Sequence, residues 1–235
     1  MRRLASILCF ATILAACGTS PAAEAGDGGA MDSPDSSTRG AGCTETAEYE
    51  VAFVGTWSAE THPDGFPPGP HFSPLIGAVH DDTFDMWTIG ELATDGIESM
   101  AETGGTSGLD SEVTAAEPAA SVVRGPGVGV SPGTATTTFV ATADTPFLSI
   151  TTMLAPSPDW CAGFDAVALC VEDAWVDSLE LEAILYDAGT DSGPTYLAPN
   201  DDTNPAEVIR ALDEPPFHDG SDFVPVGRFE ITRLD

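Results

Sequence analysis

Apolar and polar side chains alternate in several short segments of this chain. Residues 49–57 place large side chains at most odd positions, residues 179–185 alternate mainly between leucine and glutamate, and residues 229–234 repeat the alternation. Successive residues of a strand point to opposite faces, so this period of two predicts strands with one buried face. Residues 134–143 and 147–154, rich in β-branched and apolar side chains, predict two further strands.

Helical periodicity is weak by comparison. Residues 92–103 have mixed helical spacing and stop at two glycines, which suit a helix C-terminus, and residues 107–116 form a second candidate. Residues 117–133 are rich in Pro, Gly and Val and predict a surface loop. Many short strands with few helices indicate an all-β fold, an antiparallel β-sandwich with short helical insertions.

The first residues have the features of a targeting segment. Two arginines precede an apolar run at residues 4–16 that is shorter than the roughly 20 residues a membrane-spanning helix needs, so residues 1–16 predict a signal peptide. Leu14-Ala15-Ala16-Cys17-Gly18 resembles the lipobox of bacterial lipoproteins, in which the cysteine carries the lipid. We therefore expect Cys17 to attach the protein to a membrane, since two or more acyl chains anchor stably. The alternative is a secreted protein cleaved after residues 23–25.

A spacer separates this anchor from the folded part. Residues 17–42 are rich in Gly, Ala, Ser, Pro and Asp and hold few large apolar side chains, so we expect a flexible linker. The folded domain is expected at residues 43–235. Lipoproteins retained in the inner membrane carry aspartate after the lipidated cysteine, whereas this chain has Gly18. The resemblance therefore implies an outer-membrane lipoprotein of the bacterial cell envelope, periplasmic or surface-exposed.

The charge is strongly negative. The chain has 38 acidic residues against 7 basic ones, all arginine, and a formal net charge of −31. Such a balance argues against nucleic acid as a partner and against electrostatic docking on anionic lipid. It favours cations, basic partners or simply solubility. We expect a monomer.

Two acidic loops are the strongest candidates for a functional site. Asp187 and Asp191 follow a predicted strand and flank Gly189, which allows the loop to curl, and Asp159 lies on a second loop stiffened by prolines. Converged carboxylates repel unless a cation or a proton lies between them. Three aspartates with carbonyl and water oxygens suit Ca²⁺, whereas Zn²⁺ favours His or Cys. The alternative is an acidic turn that holds no metal.

Five segments resemble spondin domains and occur in the order seen in that family. The family includes the animal matrix proteins F-spondin and mindin and has bacterial members. The last two segments are specific and the first three supportive, and the resemblance covers nearly all of residues 43–235. The segments are Phe53-Val54-Gly55-Thr56-Trp57, Leu75-Ile76-Gly77-Ala78-Val79-His80, Met86-Trp87, Pro156-Ser157-Pro158-Asp159-Trp160 and Tyr186-Asp187-Ala188-Gly189-Thr190-Asp191-Ser192-Gly193.

The resemblance implies a C2-like β-sandwich with a calcium ion at one end. By motif match, the metal ligands are Asp159, Asp187 and Asp191. In animal relatives the domain binds matrix components, integrins or bacterial surface glycans, which implies an extracellular protein or glycan ligand here. The resemblance thus favours a surface-anchored, calcium-binding adhesion module that is not an enzyme.

The resemblance also implies a disulfide between Cys43 and Cys170. Cys161 departs from the family pattern, which often has an aromatic residue at that position. We expect a buried free thiol at Cys161, and pairing of Cys161 with Cys170 is the alternative.

A second function is suggested by histidines. His62, His71 and His80 recur at intervals of nine, with acids nearby at residues 64, 81, 82 and 85. This stretch, residues 62–85, is the candidate site of an extracytoplasmic metal-dependent hydrolase. Ser157 lies in a Ser-Pro pair rather than in a Gly-x-Ser-x-Gly elbow, which argues against a serine hydrolase. The glycines at 125 and 127 lack the following helix and lysine of a phosphate-binding loop.

Overall fold

The structure is a computed structural model that describes Cys43 and residues 46–213, 215–219 and 222–235. The expected signal peptide at residues 1–16, the lipid anchor at Cys17 and the linker to residue 42 lie outside the described residues. In the described ranges, no helix has both the length and the apolar character needed to cross a membrane.

The described residues are mostly in short strands, with two helices between the third and fourth strands. In chain order the elements are β1 (Ala47–Gly55), β2 (His71–Phe72), β3 (Ile76–His80), α1 (Asp95–Thr103), α2 (Ser107–Ala115), β4 (Ala120–Arg124), β5 (Gly133–Ala141), β6 (Phe147–Ala155), β7 (Trp160–Ala168), β8 (Cys170–Val171), β9 (Ala174–Trp175), β10 (Ser178–Glu182), β11 (Ile184–Asp187), β12 (Arg210–Ala211), β13 (His218–Asp219), β14 (Asp222–Phe223) and β15 (Gly227–Arg233).

Two antiparallel sheets make up the sandwich. The smaller sheet has the order β10-β15-β1-β5, and the larger has the order β12-β11-β7-β6-β3-β4, with β2 also paired to β6. The main apolar core lies between them and takes side chains from both sheets, including Phe53 and Phe229 from the smaller sheet and Leu148 and Phe164 from the larger. The predicted all-β antiparallel sandwich is confirmed.

Burial along the strands explains their sequence patterns. In β1 the odd-numbered Tyr49, Val51 and Phe53 are fully buried, and the even positions between them are partly or wholly exposed. β6 is buried on both faces, because a second apolar cluster lies between the larger sheet and the helices. A strand covered on both sides cannot alternate between apolar and charged residues, which accounts for the uncharged sequence of residues 147–155, where even Ser149, Thr151 and Thr152 are buried.

The two predicted helices are present as α1 and α2. Thr94 caps α1 by accepting a hydrogen bond from the backbone N–H of Ile97, and the helix ends at Gly104, where φ is 71°. This left-handed conformation favours glycine. Both helices bury an apolar face in the second cluster, with Met100 from α1 and Leu109 from α2.

Two predictions about local structure were wrong. Residues 117–133 were expected to form only a loop, yet Ala120–Arg124 pairs with β3 as β4. Because β4 ends the larger sheet, the prolines and glycines beside it interrupt no central ladder. Residues 179–185 were expected to form one strand, yet β10 and β11 belong to different sheets. The chain crosses between the sheets at Ala183, which is fully buried.

A disulfide joins the start of the domain to its middle. Cys43 and Cys170 are bonded, with an S–S distance of 2.07 Å. This is the pair that the spondin resemblance implies. Cys161 is a buried free thiol, so the alternative pairing with Cys170 is not formed.

Candidate metal centre

Strand pairing brings Asp159 next to Asp187. β7 begins at Trp160, directly after Asp159, and β11 ends at Asp187, which lies opposite Trp160 in the antiparallel ladder. The backbone carbonyl of Asp159 accepts a hydrogen bond from the N–H of Ala188 at 3.2 Å. The two aspartates therefore meet because two strands of one sheet end and begin at the same edge.

In the loop after β11, two aspartate side chains stabilise the turn by accepting hydrogen bonds from the backbone of the same loop. Asp187 Oδ1 accepts a hydrogen bond from the Gly189 N–H at 2.9 Å, and Asp191 Oδ1 accepts one from the Gly193 N–H at 2.7 Å. Gly189 has φ of 74°, and a Cβ there would lie 2.4 Å from the carbonyl oxygen of Glu207. The curl expected at Gly189 is present, and close packing of residue 207 leaves no room for a side chain.

Asp159 is enclosed by this loop. Its side chain is fully buried, and its Oδ2 accepts hydrogen bonds from the backbone N–H groups of Thr190 at 2.8 Å and Asp191 at 3.1 Å. Its Oδ1 is buried and has no hydrogen-bond partner. Buried polar atoms are almost always paired, so this oxygen is an acceptor that a cation or a hydrogen-bond donor could satisfy.

The electrostatics of Asp159 reflect this enclosure. Burial raises the pKa of its carboxyl to about 6, with a further upward contribution from the Asp187 charge and a smaller one from Asp191. The two backbone hydrogen bonds lower the pKa but do not compensate. The ionised form of Asp159 is therefore destabilised unless positive charge is supplied nearby.

Two residues that sequence reasoning missed complete the surroundings. Arg210 of β12 donates a hydrogen bond from Nη2 to Asp187 Oδ2 at 2.7 Å. Burial raises the pKa of Glu102 on α1, and Asp191 adds to the rise. No motif marks either residue. The one available signal was the rarity of basic residues in the chain, which makes any arginine near an acidic site notable.

A surface cavity of about 460 Å³ opens over the site. Asp187, Asp191, Glu207 and Arg210 line it, together with Trp160. The carboxylates of Asp187 and Asp191 are mostly buried but reach this cavity, whereas Asp159 is not part of its lining. The cavity therefore gives a dissolved ion or a ligand access to two of the three aspartates.

The side chains are not arranged as a ready-made metal cluster. Across the described ranges, no group of three or more His, Cys, Asp or Glu side chains is placed to hold a metal ion. Five of the six carboxylate oxygens accept hydrogen bonds, although the bond from the Asp201 N–H to Asp191 Oδ2 is long at 3.4 Å. The unpaired Asp159 Oδ1 and the oxygen-only donor set nevertheless fit a hard cation such as Ca²⁺.

The histidines of the second candidate site do not converge. His62 is buried, donates from Nε2 to the carbonyl of Val224 at 3.0 Å and has its pKa lowered by burial. His71 is exposed and bonds to a neighbouring backbone carbonyl, and His80 is buried between Phe84 and Phe147. In the described part of the chain no two of these histidines share a hydrogen-bond partner.

His80 belongs to a buried polar network. Its Nε2 lies 2.8 Å from Ser149 Oγ, and that hydroxyl donates to Asp165 Oδ1 at 2.6 Å. In a serine-nucleophile triad the acid orients the histidine, whereas here it binds the serine. His80 is only 1% exposed and lines a cavity of about 170 Å³, whereas Ser149 is fully buried and lies outside the lining of that cavity, so the serine is not accessible to a substrate. The arrangement is that of a satisfied core network, and it carries no argument for a hydrolase.

Comparison with known proteins gives one consistent result. The Spondin_N family model matches residues 47–227. Spondin-1 of Gallus gallus is 35% identical over 208 residues, which cover 80% of this chain and 26% of that protein. Spondin-1 of Homo sapiens is 34% identical over the same length. Spondin-2 of Homo sapiens is 30% identical over 204 residues, which cover 80% of this chain and 62% of that protein. The chain therefore spans about a quarter of Spondin-1 and under two thirds of Spondin-2.

Proposed function

The chain belongs to the Spondin_N family, and from this we propose that it is an extracellular binding module whose site loops are held by a calcium ion. The ion binds Asp159, Asp187 and Asp191, with backbone carbonyls and water as further oxygen ligands. Its role is structural, because it joins the start of β7 to the loop after β11. The exposed cavity beside it is the place for a ligand.

The observation that carries the calcium proposal is the unpaired oxygen of Asp159. This carboxylate is fully buried next to two others, and its Oδ1 has no donor. A buried carboxylate whose oxygen has no partner destabilises the folded state. A divalent cation would offset the repulsion between the carboxylates and would also bind that oxygen. Extracellular calcium modules commonly bind with a Kd of about 10⁻⁴–10⁻³ M, which suits a structural ion outside the cell.

Calcium is expected to stabilise the folded domain. For a Kd in that range, 5 mM Ca²⁺ contributes about 1–2 kcal/mol to the free energy of unfolding. This corresponds to a rise in Tm of roughly 3–8 °C over the same protein in EDTA. Differential scanning calorimetry of the wild type and Asp187→Asn measures the effect, and the variant is expected to melt at the same temperature with and without calcium.

The matched control is Asp110→Asn. Asp110 also pairs with an arginine, Arg124, but lies on α2 away from the three aspartates. This variant keeps the calcium response if the response belongs to the proposed site. Identical melting of the wild type in calcium and in EDTA would rule the metal proposal out.

The same variants test the binding role. We propose a protein or glycan ligand of the extracellular matrix type, in line with the family, and a module that performs no catalysis. A screen of immobilised glycans and matrix proteins with the wild type, Asp187→Asn and Asp110→Asn identifies calcium-dependent binding. Ligands held by the wild type and Asp110→Asn but lost by Asp187→Asn support the proposal. A screen without any such ligand contradicts it.

We further propose that Cys17 attaches the domain to the bacterial outer membrane. The support is the lipobox resemblance and the linker composition of residues 18–42. Mass spectrometry of the membrane fraction is expected to find an N-terminal peptide that begins with lipid-modified Cys17. An N-terminus at a later residue, without lipid, would show secretion instead.

A further inference from the structure

Arg210 lies directly across the strand ladder from a proposed calcium ligand. In the pairing of β11 with β12, Asp187 and Arg210 occupy opposite positions. The Arg210 Nη2 donates to Asp187 Oδ2 at 2.7 Å, and the two side chains are 46% and 12% exposed. Strand register therefore fixes a guanidinium against a mostly buried carboxylate at the rim of the cavity.

Arg210 supplies positive charge where the aspartates most need it. Asp187 lies beside the fully buried Asp159, because β11 ends opposite Trp160, and two carboxylates placed in this way repel when both are ionised. Neutralising Asp187 with a guanidinium limits this repulsion between the two buried carboxylates. The other described arginines pair with acids elsewhere, namely Arg124 with Asp110, Arg228 with Glu180 and Glu230, and Arg233 with Asp235.

The same contact opposes a bound cation. The Asp187 oxygen that holds Arg210 is one that calcium would use, so the ion must share it or displace the guanidinium. A unit charge and a divalent ion about 6 Å apart in a water-like dielectric repel by roughly one factor of ten in the binding constant. Competition for the Asp187 oxygen and repulsion between the two positive charges both weaken calcium binding as long as Arg210 stays on Asp187.

We propose that Arg210 is a tethered counter-ion that sets the calcium affinity of this site. This inference rests on the proposed calcium function. In the metal-free protein Arg210 neutralises Asp187, and on calcium binding the guanidinium swings off Asp187 into the cavity it already lines. The arginine thus keeps the empty site folded and restricts occupancy to environments rich in calcium.

Calcium titration by isothermal calorimetry of Arg210→Gln tests this inference. The variant is expected to bind calcium about ten-fold more tightly than the wild type and to melt at a lower temperature in EDTA. Arg210→Lys keeps the charge and is expected to bind within about three-fold of the wild type. Arg124→Gln, which removes an arginine from a carboxylate away from the site, is expected to change neither quantity.

The outcomes separate this inference from the function on which it rests. Tighter binding by Arg210→Gln, or binding by that variant alone, supports the counter-ion role. Equal or weaker binding by Arg210→Gln overturns it while leaving the calcium site intact. Failure of the wild type and of Arg210→Gln to bind calcium overturns the calcium function and this inference together.

Discussion

Replacing both disulfide cysteines, as Cys43→Ser with Cys170→Ser, is expected to lower the free energy of unfolding by about 3–5 kcal/mol. The bond closes a loop with a sequence separation of 127 residues, and loop-closure entropy for that length predicts a stabilisation near the upper end of the usual range. The Tm is expected to fall by roughly 10 °C. Thermal melting of the oxidised wild type and the double variant measures the difference.

Two controls isolate the disulfide from the loss of buried sulfur. Cys161→Ala removes the buried free thiol and is expected to cost only about 1 kcal/mol. Wild type melted in reductant is expected to match the double variant, because both lack the bond. A double variant that melts within a degree or two of the oxidised wild type would show that the bridge adds little to stability.

The second large effect concerns pH and Asp159. The folded-state pKa is about 6 and the ordinary value is 3.8, so the folded protein holds a proton that the unfolded chain releases between these values. In EDTA, Asp159 therefore makes the protein less stable as the pH rises from about 4 to about 6. The shift corresponds to about 3 kcal/mol, and above pH 6 the change levels off.

Asp159→Asn is expected to remove this dependence. The amide oxygen still accepts the backbone N–H groups of Thr190 and Asp191, and no charge is buried. At pH 7.5 in EDTA the variant is expected to melt above the wild type, and added calcium is expected to narrow the difference by raising the melting temperature of the wild type alone. Urea unfolding from pH 4 to pH 8, with and without calcium, measures both changes.

Asp165→Asn is the matched control for this experiment. Burial also raises the pKa of Asp165, but its partner is Ser149 and it lies outside the candidate metal centre. Its substitution is expected to leave the calcium response unchanged. A destabilised Asp159→Asn at pH 7.5 in EDTA would contradict the view that the ionised Asp159 carboxylate is a liability in the metal-free protein.

The sequence predicted the strands that alternate clearly or that are rich in β-branched and apolar residues. β1 and β15 alternate because one face meets the core, and β5 and β6 are rich in β-branched or apolar residues. β4 escaped detection because an edge strand with mixed burial has no sharp period. The crossing at Ala183 could not be predicted for a different reason. The alternation of residues 179–185 continues across the point where the chain passes from one sheet to the other.

The candidate site was predictable only where its residues are close in sequence. Asp187 and Asp191 share one loop, and Asp159 follows a recognisable turn, so spacing and family motif both identified them. Arg210 and Glu102 come from β12 and α1, whose positions depend on tertiary packing. The counter-charge of the site and the unpaired oxygen of Asp159 are properties of that packing, which a local pattern does not encode.

The disulfide also determines how the domain responds to mechanical tension. β1 is a central strand with β15 on one side and β5 on the other, and Cys43 lies just ahead of it. Traction on the chain ahead of Cys43 passes through the covalent bridge to Cys170, so this load does not act on β1 directly. When the oxidised chain is pulled at its two ends, only the residues after Cys170 can extend. Residues 43–170 lie within the loop that the disulfide closes and carry no load. Under tension between its two ends, the oxidised domain would thus yield first in the strands that follow Cys170, β15 included.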